Sequence, residues 1–107
     1  MKKIFLALAL SVSTCAYAQT DMDKVQTACS FLAVAGEGAA LAVASGVPEA
    51  DARTAWFNSV DQNANGDYAA ELKRLGAREI SSVYAKKINV QSEGYWEGYQ
   101  VCTSALQ

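Results

Sequence analysis

The stretch Val25 to Ser45, VQTACSFLAVAGEGAALAVAS, contains a single charged residue, Glu37, and constrains the chain more than any other segment. Met22, Val25, Cys29, Leu32, Gly36, Ala39 and Val43 follow one another at alternating three- and four-residue steps, which places them on one face of a helix. Ala28, Phe31, Ala33, Val34, Ala35, Ala40, Leu41 and Ala42 make the remaining faces nearly as apolar. A helix apolar all round belongs in a core or in a bilayer. The core is favoured, because Glu37 stands mid-span between Gly36 and Gly38, and Ala and Gly drive transfer into lipid weakly. Thr20 and Asp23 have capping-box spacing, and Ser45-Gly46-Val47-Pro48 supplies a left-handed stop followed by a proline. A helix from about Met22 to Ser45 is expected, with the rest of the chain packed around it.

Ahead of it, MKKIFLALALSVSTCAYAQ carries Lys2 and Lys3, an apolar run and the small-x-small site Ala16-Tyr17-Ala18. Residues 1–18 are read as a secretory signal peptide, leaving residues 19–107 as a single domain in the periplasm or outside the cell. Cys15 follows Thr14, where lipidation needs a small unbranched residue, so a lipoprotein is not expected. With Lys2 and Lys3 removed, seven cations face eleven carboxylates, a net charge of −4 that makes nucleic acid an unsuitable partner. Cys29 and Cys102 then remain in an oxidising compartment and predict one disulfide. Closing a loop of about 74 residues stabilises a fold by about 4 kcal/mol in the chain-entropy model.

Beyond the first helix, Pro48, Glu49 and Asp51 suit a helix start, and Ala52, Ala55, Trp56 and Val60 form its inward face. Asn63-Ala64-Asn65-Gly66 is turn chemistry. A third helix is expected from about Asp67 to Asn89, with Tyr68, Leu72, Leu75, Ile80, Val83, Tyr84 and Ile88 inward and Gly76 marking a close crossing. Ser92 is expected to cap a fourth, in which Tyr95, Tyr99, Cys102 and Leu106 share a face and Gly94 and Gly98 flatten one side. One proline, no strand-like alternation and no repeat point to an all-α, four-helix bundle-like domain with one disulfide.

The chain has no histidine, which removes the usual general base, the Ser and Cys triads and most zinc sites. Its carboxylates show no paired acid–base spacing, so neither an enzyme nor a cofactor is expected. Glu37 is costly on so apolar a helix unless it reaches solvent or pairs with Arg53 or Arg78; it could otherwise anchor a binding groove. Lys73, Arg74, Arg78, Lys86 and Lys87 read as a solvated helix face paired with Glu71 and Glu79, or as a stripe for an acidic partner. Tyr95 and Tyr99 belong to the core on this reading, leaving Trp96 as a surface anchor. Trp96, Glu37 and Arg78 are thus the expected partner-binding residues.

The segment Asp61 to Leu72, DQNANGDYAAEL, resembles an EF-hand calcium loop. Asp61, Asn63, Asn65, Asp67 and Glu71 would be its oxygen ligands. The closing carboxylate belongs at the twelfth place, however, where this chain has Leu72, with Glu71 one residue early; a one-residue deletion turns that side chain away from the cage. Calcium is therefore the alternative rather than the favoured reading.

The signal peptide, Cys29, Gly46-Val47-Pro48, Val83-Tyr84-Ala85 and the closing Tyr99-x-x-Cys102 together resemble a loose group of small, largely uncharacterised secreted helical proteins of proteobacteria and prophages. The architecture is also similar to periplasmic immunity proteins that block cell-wall-cleaving toxins, and to small acid-stress chaperones with a single disulfide. Small size, one disulfide, no catalytic residues and an acidic net charge suit a non-enzymatic protein that binds another protein, as an inhibitor or immunity factor does. Its alternative is a stress chaperone that acid opens by neutralising carboxylates. Neither oligomeric state nor the partner follows from the residues.

Overall fold

The computed structural model describes residues 25–106. The expected signal peptide, Cys15, Met22 and the Thr20–Asp23 capping box lie outside the described residues. Four helices follow in order: α1 (Val34–Ala44), α2 (Glu49–Asn63), α3 (Gly66–Ala85) and α4 (Gln91–Leu106). Residues 25–32 are also helical and run into α1 through Ala33, whose backbone stays helical at φ −59°, ψ −14°. The hydrogen bonds Ala33 N–H to Cys29 O (2.8 Å) and Glu37 N–H to Ala33 O (3.0 Å) carry the ladder across the joint. By length and composition Val25–Ala44 could cross a bilayer, a property shared with core helices. Here its Cys29, Leu32, Ala39 and Ala40 seam is buried against the rest of the bundle.

The chain is all-α, as its periodicity predicts. The turns form where the turn residues stand: Gly46 takes a left-handed φ of 76°, and the Val47 N–H closes the helix end on Ala42 O at 2.9 Å. Pro48 is extended and precedes α2, while Gly66, with φ 66°, opens α3 after the extended Ala64 and Asn65.

α1 packs against the three other helices and most extensively against α4, whereas α2 touches only α1 and α3 among them. Consequently α1 and α3 form a central pair flanked by α2 and α4. Two apolar clusters fill the centre. Ala35, Ala39, Ala40, Ile80 and Val83 make one, and Cys29, Leu32, Leu75 and Cys102 the other; Trp56 packs against both. The Trp56 indole N–H donates to Leu72 O at 3.0 Å and lies over Gly76, where a Cβ would stand 2.0 Å from Nε1. The crossing expected at Gly76 is therefore made by a side chain of α2. Cys29 and Cys102 are bonded, 73 residues apart, with Cα atoms at 5.5 Å.

Backbone meets backbone between α1 and α4, which run antiparallel. A Cβ on Gly36 would sit 2.3 Å from Gly94 O, and one on Gly94 would sit 2.5 Å from Gly36 O and 2.6 Å from Ala40 Cβ. No larger residue fits either place without moving backbone.

Several expectations change. Tyr68 is exposed because Ala69, its neighbour, takes the inward position in the first turn of α3. Ala55 also faces outward. α3 stops at Ala85 rather than near Asn89: Lys87 turns to φ 57° and the Ile88 N–H bonds back to Val83 O at 3.0 Å. Ser92 lies inside the first turn of α4 and is not its cap. Nor is the first helix covered on every side, since Phe31, Val34 and Leu41 remain exposed.

Gly38 is exposed with no heavy atom within 4 Å of a built Cβ, so G38A is expected to raise stability by about 0.5–1 kcal/mol in urea unfolding. The same measurement on G94A should show a loss of about 1–3 kcal/mol, because two packed helices must separate.

Candidate functional site

Among the exposed large apolar side chains, Val34 and Leu41 lie on α1 and Trp96 and Leu106 on α4. Glu97 marks the flank of α4 that meets α3: its carboxylate accepts from the Ser82 hydroxyl and pairs with Lys86 Nζ at 2.8 Å. This partnership holds the Glu97 carboxyl below the usual range, with Lys86 the larger cause and Ser82 the next. Tyr95 turns the other way, and its hydroxyl donates to Ser30 O at 3.1 Å. Ser30, Val34, Glu37 and Leu41 are spaced four, three and four residues apart, so they form one line along that same flank of the first helix.

Trp96, next in sequence to Tyr95 on α4, is 59% exposed. Its ring meets Tyr95 edge-on at 5.4 Å between centroids and Tyr99 at 5.7 Å, so the indole is braced on both sides while keeping its outer surface free. Phe31, 74% exposed, extends the apolar surface at one edge. Glu37, half-buried, makes no ion pair among the described residues. Arg53, proposed as its counterion, is bonded to Glu49.

Arg78 does not join this surface. It is exposed on α3, on the opposite flank from Tyr95. The basic segment around it is mostly engaged: Lys73 pairs with Asp61 at 2.6 Å, Arg74 with Glu71, and Lys86 with Glu97. Of the three residues expected to bind a partner, Trp96 is exposed on α4, Glu37 half-buried on α1 and Arg78 exposed on α3.

The largest departure is Glu79, expected to pair on the solvated face of α3 and instead fully buried. Neither of its carboxylate oxygens has a hydrogen-bond partner. Its Oε1 lies 2.5 Å from where a Gly98 Cβ would be, so the glycine provides the space the carboxyl occupies. Burial pushes the Glu79 carboxyl up to about 9, and the nearby Gly36 N–H, without completing a hydrogen bond, offsets this only in part. Leu72, Gly76, Glu79 and Val83 repeat at four, three and four residues, and that spacing carried the signal for an inward Glu79.

The EF-hand-like residues are divided between elements. Asp61 and Asn63 end α2, Asn65 precedes α3, and Asp67 and Glu71 lie within α3. Asp61 is held by Lys73, Glu71 by Arg74, and the Asn63 amide donates to Ser59 O at 2.7 Å. Among the described residues no group of three or more His, Cys, Asp or Glu side chains is placed to hold a metal ion. Calorimetric titration with millimolar calcium is expected to give no binding heat and to leave the melting temperature unchanged.

Compared with known protein families, with curated proteins and with solved structures, the chain has no match.

Proposed function

We propose that this chain is a secreted or periplasmic, non-enzymatic protein that binds another protein through the α1/α4 face, in the manner of an inhibitor or immunity factor. The observation that carries the reading is the exposure of Val34 and Leu41 on α1 together with that of the braced Trp96 on α4. A tryptophan held at two edges loses little side-chain freedom on binding, and such residues supply much of the energy of protein interfaces. Glu37 is the one charge among Ser30, Val34, Glu37 and Leu41, so the surface fits an apolar segment that presents a lysine or arginine. The chain's own acidic balance favours approach by a basic partner.

An acid-opened chaperone draws on one feature, the Glu97–Lys86 pair. A carboxylate held low contributes stability above its unfolded value and loses it as pH falls through its folded value. Glu79 acts with the opposite sign and favours the folded state in acid. The two contributions oppose each other, which leaves protein binding at neutral pH as the better-supported role.

Affinity capture from a periplasmic extract should retain one stoichiometric partner at neutral pH. V34D and L41D are expected to abolish that capture with unfolding midpoints unchanged, and W96A to weaken it by about 2 kcal/mol or more. Capture that survives all three substitutions would rule out this face, and promiscuous binding confined to acid would favour the chaperone reading.

A further inference from the structure

Glu79 sits where three helices meet, and its surroundings are those of a neutral group. α3 brings the carboxyl to the junction, α4 leaves room for it at Gly98, and α1 closes the space with Gly36 and the Ala33 carbonyl. The Ala33 oxygen lies 3.2 Å from the built Gly98 Cβ position, bordering the same space as Glu79 Oε1. That oxygen already accepts the Glu37 N–H and has a second lone pair, which only a protonated carboxyl can use. An ionised carboxylate at this place would have both oxygens buried and unpaired.

The charged groups on the surrounding elements provide no compensation. On α1 the neighbour in sequence is Glu37, itself a carboxylate. On α4 it is Glu97, which is bound to Lys86 and Ser82. α3 contributes Arg78, which is exposed, and Lys86, which Glu97 holds. On α2, Arg53 is paired with Glu49. No cation among these faces the Glu79 carboxyl, and the backbone N–H of Gly36 is the one group beside it that favours the charge.

We propose that Glu79 keeps its proton in the folded protein at neutral pH and serves as a proton-held latch on the α1–α4 crossing, which alkaline conditions release. With the proton in place, Gly36, Gly94 and Gly98 can approach backbone to backbone around a neutral side chain. Loss of the proton puts a full charge into that contact, and solvating it requires the helices to part. The latch is independent of the partner-binding role of Val34, Leu41 and Trp96, although it acts on the same two helices.

The sign follows from linkage: a carboxyl raised on folding leaves stability whole below its unfolded value, erodes it as pH rises between the two values, and has removed all of its contribution above the folded one. The test is an NMR titration of the disulfide-bonded mature chain with the Glu side-chain carboxyl carbons labelled. The Glu79 resonance is expected to stay at the acid-form position at pH 7 and to move with a midpoint near 9, accompanied by the amides of Gly36, Gly94 and Gly98. A midpoint in the ordinary carboxylate range overturns the proposal. In parallel, the wild-type melting temperature should fall by about 10 °C between pH 7 and 9 more than that of E79Q, which keeps the shape without the charge. Parallel curves for the two proteins would equally overturn it. Because the titration uses the unsubstituted chain, it decides the matter whether or not the glutamine variant folds.

Discussion

Two helices can approach as closely as α1 and α4 do only where side chains are missing, and Gly36, Gly94 and Gly98 meet that condition at one level of the bundle. Everything else is placed by this contact. It sets the register in which Cys29 meets Cys102, it brings Ala40 against Gly94, and it decides which flank of the first helix stays uncovered. Small residues form a close seam but bury little area, so apolar burial along it is modest. The covalent link compensates by limiting the unfolded chain, by about 4 kcal/mol for a loop of this length.

That reserve matters because the same seam contains a destabilising element. A carboxyl that remains protonated in the fold while its unfolded counterpart ionises reduces stability by about 3 kcal/mol at pH 7. The two magnitudes are comparable, so the disulfide offsets what the buried acid costs. Glu97, one residue before Gly98, shows the contrasting solution: it keeps its charge because Lys86 and Ser82 reach it. A single residue of α4 separates a carboxylate with partners from the level at which a carboxyl has none.

Much of this architecture was legible in the residues. The seam of Cys29, Leu32, Gly36 and Ala39, the stop at Gly46, the turn at Asn63–Gly66 and the lone cysteine pair each follow from a local rule that tertiary packing reinforced. The site was legible only in part. Trp96 could be recognised as an outward aromatic because Tyr95 and Tyr99 share the face of Cys102. Glu37 could be recognised as a charge that needed an explanation. Arg78 is exposed on α3, and charge clustering in sequence says nothing about which flank of a bundle a helix occupies. Glu79 was misread for a related reason: a carboxylate beside Arg78 suggests an ion pair, and this chemical expectation outweighed a helical spacing that pointed inward. Its true environment depends on an absent side chain on another helix, Gly98, and no local pattern can report that.

The cross-link has a further consequence for how the molecule withstands digestion. Between Cys29 and Cys102 lie the joint that precedes α2, at Val47–Pro48, and the one that precedes α3, at Ala64–Asn65. A protease that severs either one opens a ring rather than a line, so the pieces stay attached and travel together until a reductant parts them. The chain can thus be nicked without being dismantled.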